Sequence, residues 1–145
     1  MFDKDYQYDK FIEFDTVECG STALARSGLI MFNLMHLNIM TSRCTLDHLN
    51  AGFATLHYNS SIDFDYEVTA EPENPRLRRP SKERALVECI LHLDWIDEGL
   101  LIEGLKSYLD YFWNEEKLRE VADHFGLAQE TLDYWLQEAR EDCEV

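Results

Sequence analysis

The stretch TAEPENPRLRRP, residues 69–80, holds all three prolines of the chain, and the hydrophobic period differs on its two sides. Proline inside a helix removes a hydrogen bond and clashes with the preceding turn, so this segment marks a boundary. Upstream the pattern alternates. Ile62, Phe64, Tyr66 and Val68 in IDFDYEV take turns with Asp63, Asp65 and Glu67, the period of a half-buried strand with an acidic outer face. GFATLHY (52–58) precedes it across the polar NSS, and another strand-like segment runs from about Met35 to Thr41. The expectation is an antiparallel hairpin of 52–58 with 62–68, in a sheet of about three strands.

Downstream the period is helical. Ser81 caps KERALVECILHL, where Ala85, Cys89 and Leu93, with Leu86 and Ile90, share a face. Asp97 or its neighbour opens EGLLIEGLKSYLDYF, whose Leu101, Leu105, Tyr108, Leu109 and Phe112 form an apolar stripe. Asn114 caps EEKLREVADHF, Gly126 ends it, and QETLDYWLQEAR is the last helix. STALARSGL (21–29) adds one short upstream helix, with Ser21 as cap and Gly28 as stop. The fold class expected is α+β: a small antiparallel sheet with a short helix in residues 1–80, packed on a bundle of about four helices in residues 81–145. With 145 residues and 46% hydrophobic content the chain can bury one substantial core, so residues 1–145 are expected to form a single domain.

Charge narrows the partner class. The chain has 29 acids against 13 Lys plus Arg, and the excess is C-terminal: residues 81–145 hold 17 acids and 6 bases. Such a surface repels nucleic acid and phospholipid head groups over about a Debye length, ~8–10 Å in physiological salt. The one concentrated positive site is RLRRPSKER, with Arg76, Arg78, Arg79, Lys82 and Arg84. It either binds an acidic ligand or balances the chain's own acidic helices. Cys19, Cys44, Cys89 and Cys143 show neither metal-ligand spacing nor a disulfide framework, and MFDKDYQYDKF lacks the apolar run of a signal peptide. GLIMFNLMHLNIM is too short and too polar to span a bilayer. Reduced thiols in a cytoplasmic protein are the expectation, with no membrane, metal or cofactor.

EVADHFGLAQETLDYWL (120–136) has the small-residue and glycine spacing of a helix-turn-helix. A reading helix needs bases to neutralise phosphates. The second helix here, 128–140, carries Glu130, Asp133 and Glu138 and reaches its first base only at Arg140, while the first adds Glu115, Glu116, Glu120 and Asp123 against Lys117 and Arg119. The geometry is that of a helical hairpin and the chemistry is wrong for DNA. Leu118, Val121, Ala122, Phe125, Leu132, Trp135 and Leu136 read as core, and the carboxylates, with Tyr134, read as a surface for a cationic protein. Tyr108, Tyr111, Trp113 and Tyr134 are the candidate aromatic anchors.

No catalytic residue is assigned, and the chain is not expected to be an enzyme. Asp47 beside His48, with His57 nine residues on, is the best acid–base candidate; a turn residue beside a strand histidine is the preferred reading. Asp63, Asp65 and Glu67 on one strand face could ligate a divalent cation, though a solvated face is the simpler account. Cys19 would gain nucleophilicity if the positive end of a helix faced it, and an inert half-buried thiol is preferred.

RRPSKERALVECI followed by DEGLLIEGLKSYL resembles the C-terminal region of AbiEi-like antitoxins of type IV toxin–antitoxin systems, and STALARSGL is similar to the small-residue helix before that motif. The resemblance covers roughly residues 19 to 142, and PSKERAL is its most specific part. It implies a mixed α and β antitoxin-like fold, a bacterial or phage cytoplasm, and opposition to a nucleotidyltransferase-type toxin. The resemblance begins near residue 19 and does not include the family's N-terminal winged helix, so promoter binding is not expected from it. The function expected is therefore an antitoxin-like or immunity-like protein that covers a basic surface of its partner through Glu115, Glu116, Glu120, Asp123, Glu130, Asp133, Tyr134 and Glu138. A phage-type DNA mimic and a helix-turn-helix regulator are the alternatives, and a homodimer through exposed aromatics stays open.

Overall fold

The computed structural model describes residues 14–31, 36–42 and 54–142. Five strands, β1 Thr16–Glu18, β2 Leu37–Thr41, β3 Ala54–Tyr58, β4 Val68–Glu71 and β5 Asn74–Pro80, form one sheet in the order β3-β2-β1-β5-β4. The short α1, Gly20–Arg26, follows β1; α2 Lys82–Leu91, α3 Glu98–Ser107, α4 Glu115–His124 and α5 Gln129–Asp142 follow the sheet, with a 3-10 turn at Leu93–Trp95 and a π-helical turn at Tyr108–Phe112. The α+β plan expected from the change of period is the plan observed.

The sheet departs from the expected hairpin. It is mixed: β1 runs antiparallel to β2 but parallel to β5, and β3 runs parallel to β2. Residues 62–67 form no strand. Asp63 explains why, because its Oδ1 accepts from the backbone N–H groups of Asp65 at 2.9 Å and Tyr66 at 3.0 Å, curling the chain into an Asx-type turn. Glu67 then sits at φ 55, which ends any extended run. The apolar residues that mimicked a strand face serve two cores: Ile62 and Phe64 pack over Val17 and Met40 of the sheet, and Tyr66 packs on the helices.

The proline-rich boundary is itself the β4–β5 hairpin, turning at Pro72 and Glu73. Its other prolines stand near the start of β5 and at its last residue, where the missing N–H breaks no central ladder bond. Leu77 of β5 joins Leu37, Ile39 and Ala54 in a small apolar cluster with Phe14.

In the helical half, α2 is central. Every residue from Glu83 to Ile90 is buried, so this helix is enclosed all round rather than along the single face its sequence suggested. Its N-terminus is capped as expected, Ser81 accepting from the Arg84 N–H at 3.2 Å. Helix α3 comes close to α1 because position 104 is glycine: a Cβ there would stand 3.2 Å from Leu24 Cδ1, with Leu86 of α2 in ordinary contact at 3.6 Å. Leu101, Leu105, Leu118, Val121, Ala122, Leu132 and Leu136 are fully enclosed, as read from the sequence, whereas Leu93 and Phe112 are exposed.

Ser21 does not cap α1. Cys19 occupies that position without a side-chain cap, and the hydroxyls of the first turn instead hold β2: Thr22 Oγ1 accepts from the Asn38 N–H at 2.7 Å, and Ser21 Oγ accepts from Asn38 Nδ2 at 3.2 Å. Gly20 opens the helix at φ 57, and a Cβ there would meet the Trp95 carbonyl oxygen at 3.2 Å. Gly20→Ala is expected to lower the urea midpoint by a stability loss of about 1–2 kcal/mol, from the left-handed conformation alone. An unchanged midpoint would show that this tight entry carries no constraint.

Candidate functional site

The turn between α4 and α5 is built as the sequence suggested. Asn114 accepts from the Lys117 N–H at 3.2 Å to cap α4, Glu115 and Glu116 occupy its first turn, and Gly126 leaves it at φ 77. Ala122 and Leu127 are buried between the two helices, and Trp135 with Leu136 closes the packing beneath.

Two bases of this unit, Arg119 and Lys117, are paired within the chain. Arg119 bridges both helices, its Nε donating to Glu115 Oε2 at 2.8 Å, its Nη2 to Asp133 Oδ1 at 2.8 Å and its Nη1 to Gln129 Oε1 at 2.9 Å. Lys117 reaches across the surface to Glu67 at 3.0 Å and Glu83 at 3.7 Å, and the Glu67 hydrogen bond holds its ammonium above the ordinary lysine range. Glu116, Glu120, Asp123 and Glu130 all face solvent, and among the described residues their side chains make neither a hydrogen bond nor an ion pair. The surface of α4 therefore presents carboxylates whose neighbouring bases, Lys117 and Arg119, are already paired, while Arg140 near the end of α5 is exposed and lies over Trp113. Tyr134 is 57% exposed and donates to Glu138 Oε1 at 3.0 Å; Glu138 itself is half-buried.

The anchors need one correction. Tyr108 is enclosed, its hydroxyl donating to Glu83 Oε2 at 2.7 Å and standing 3.2 Å from the Asn114 carbonyl. Burial, with Glu83 beside it, pushes the phenol well above its usual range. Phe112, assigned to the stripe, is exposed instead, together with Tyr111 at 79% and Trp113. The widened π turn shifts the angular spacing of these residues, so a 3.6-residue stripe drawn through α3 misplaces them. Lys82 lies 4.6 Å over the Phe112 ring and Arg140 5.6 Å over Trp113.

The arginine-rich stretch is drawn into the sheet. Arg78 pairs with Asp15 at 2.9 Å and lies over Phe64, and Arg79 pairs with Glu71 at 2.8 Å and with the fully buried Glu18 at 3.3 Å. Arg84 is buried against Glu88. Arg76 is exposed on β5. Among the described residues, Arg78 pairs with Asp15 just before β1 and Arg79 with Glu18 and Glu71 of the sheet.

Of the catalytic candidates, Asp47 and His48 lie outside the described residues. His57 stacks on Trp95 with ring centroids 4.5 Å apart and meets Asn38 Oδ1 at 3.1 Å; burial lowers its pKa. Asp63, Asp65 and Glu67 do not share a strand face, and the Asp63 carboxylate is taken by two backbone N–H groups and by His124 Nε2 at 3.0 Å. Cys19 is fully buried, and burial, then Glu88, raise its thiol well above the ordinary range, the opposite of activation. Among the described residues no helix is long and apolar enough to cross a membrane. No protein-family model matches the chain, and no curated protein matches it at a significant level.

The Asp63–His124 contact ties the 59–67 loop to the helices, with Tyr66 stacked on the His124 ring at 3.7 Å. The N–H of Asp65, then the His124 bond and the N–H of Tyr66, lower the Asp63 pKa below its ordinary value. A depressed carboxyl contributes stability that is present above its unfolded pKa and lost as pH falls through the folded one. Thermal unfolding is therefore expected to lose stability on acidification below about pH 4. Asp63→Asn keeps an acceptor for both N–H groups and should flatten that dependence; an identical acid profile in the variant would assign it elsewhere.

Proposed function

We propose that this protein is an acidic binding module that neutralises a basic protein, in the manner of an antitoxin or immunity protein. The observation that carries the reading is the surface of α4 and α5, where Glu116, Glu120, Asp123 and Glu130 face solvent while Lys117 and Arg119 are consumed by internal pairs. Carboxylates without neighbouring cations repel DNA and accelerate encounter with a cationic surface, and they fix its orientation. Exposed Tyr111, Trp113 and Tyr134 supply the apolar contact that charge alone does not. The similarity of PSKERAL and DEGLLIEGLKSYL to AbiEi-like antitoxins suggests the partner class, a nucleotidyltransferase-type toxin.

A second reading, mimicry of DNA against a defence nuclease or repressor, draws on the placement of Glu116, Glu120 and Asp123. Their spacing of i, i+4 and i+7 sets three carboxylates in a row along one face of α4. Both readings are tested by capturing the partner on the full-length chain from extract of the native host at low salt, then titrating the purified partner directly. The neutraliser reading expects a basic protein whose complex weakens as salt rises. If duplex DNA competes for the same partner surface, mimicry is favoured; a partner that is acidic or a nucleic acid contradicts both.

A further inference from the structure

Three neighbouring clefts are lined by residues of α3, of the π turn that follows it and of the C-terminal part of α5. The first, about 400 Å³, is lined by Leu109, Asp110, Trp113 and Arg140. The second, about 390 Å³, shares Asp110 with the first and reaches Ile102 and Asp142. The third, about 290 Å³, shares Ile102 and Asp142 with the second and ends between Glu98, Trp135 and Glu138. Shared lining residues make them one contiguous groove, whose lining combines apolar Leu109, Ile102, Trp113 and Trp135 with several carboxylates. Lys106, which pairs with Asp142 at 2.9 Å, and Arg140 are the bases that line it.

We infer that this groove seats a basic amphipathic helix of the partner, with an apolar seam on those apolar side chains and Lys or Arg against the carboxylates. The inference rests on the reading above and divides the work within it: the α4 face steers the partner, and the α3–α5 seam holds it. Charge selects the occupant. A second copy of this chain, at net charge -16, would set carboxylates against carboxylates, and nucleic acid would do the same with phosphates. Shape selects the form of the occupant. From Glu98 to Asp110 the helical rise spans roughly 18 Å, the length of about 12 helical residues, and a groove between two helices takes a third through anchors at i, i+3, i+4 and i+7. Trp113, 39% exposed, stands at one end as the aromatic contact such an interface requires.

The test uses the full chain and two synthetic 14-residue peptides of identical leucine and lysine composition, one patterned as an amphipathic helix and one scrambled. Binding is read from intrinsic tryptophan emission, since Trp113 and Trp135 line the groove. The patterned peptide is expected to bind at least tenfold tighter than the scrambled one. Asp110→Asn with Glu138→Gln should weaken it about tenfold, and Glu116→Gln with Glu120→Gln and Asp123→Asn should leave it unchanged. If the α4 variant loses binding while the groove variant keeps it, the groove assignment is overturned and the neutraliser reading survives. Equal affinity for both peptides also overturns the groove. Binding of neither peptide, or binding indifferent to salt, also overturns the groove, while the neutraliser reading stands or falls with the salt dependence of the captured partner. A dimer in sedimentation velocity that the groove variant strengthens assigns the seam to a second copy and overturns the proposal.

Discussion

Arg84→Met is expected to destabilise the protein by about 3–5 kcal/mol at neutral pH, the typical cost of removing one partner of a buried ion pair. The side chain of Arg84 is 0% exposed and that of Glu88, one helical turn on, is 8% exposed; Arg84 Nε donates to Glu88 Oε1 at 3.0 Å and Nη2 to Oε2 at 3.3 Å. The guanidinium also donates to the Tyr66 carbonyl at 2.6 Å and lies 4.8 Å over the Phe125 ring. Methionine fills the same volume but leaves a carboxylate in the centre of the core with no cation. Arg84→Met with Glu88→Leu removes both charges and should recover most of the loss, because apolar replacement of a whole buried pair is often close to neutral. Equal losses in the single and double variants would show that packing, not charge, holds this position.

The pH dependence gives that prediction a sign. Burial raises the Glu88 pKa, and Arg84 works against it. A carboxyl whose folded pKa is raised binds its proton more tightly in the folded state, so its contribution is fully present below the unfolded value and is lost as pH rises through the folded one. Without Arg84 the folded value climbs further. The cost of Arg84→Met, measured by urea denaturation, should therefore shrink as pH is lowered from 7 toward the ordinary glutamate range.

The second large effect is on association. Glu116→Gln, Glu120→Gln, Asp123→Asn and Glu130→Gln together remove four solvent-facing carboxylates that hold no internal pair among the described residues. Stability should change little, since each group is exposed. The association rate with the captured basic partner should fall by about tenfold or more at low salt, while the dissociation rate stays within a few-fold, because long-range charge acts mainly on encounter. A variant that associates as fast as the parent would place the partner's contact elsewhere. Restoring the loss is not expected from Arg119→Gln, whose charge is already spent on Glu115 and Asp133.

The helical half was legible in the sequence because its signals are local. Ser81 and Asn114 cap as their positions suggest, Gly126 takes the left-handed turn, and the apolar spacing of Leu118, Val121, Ala122 and Leu132 places them inside. The sheet was not legible in the same way. Parallel pairing of β2 with β3 and of β1 with β5 is set by long-range contacts that no short window contains. IDFDYEV misled because period two is necessary for a strand but not sufficient. One aspartate able to accept two successive N–H groups diverted the segment into a loop and divided its apolar residues between two cores. At the candidate surface the acidic residues were visible from composition. Their availability was not, since it depends on Lys117 pairing with Glu67 and Glu83 rather than with the acids of its own helix, and no helical spacing encodes that choice. The exposure of Phe112 follows from the π turn, which likewise leaves no mark on the residue pattern, whereas Tyr108 is enclosed where the stripe of Leu101 and Leu105 places it.

The most direct test of the central claim is the association rate constant of the full-length chain with its captured partner, followed by stopped-flow fluorescence from low to high ionic strength. If uncompensated carboxylates guide this protein onto a cationic surface, the rate should drop by at least about tenfold as salt rises from roughly 20 to 500 mM, with the complex still forming slowly at the upper end. A rate indifferent to salt across that range would contradict the account.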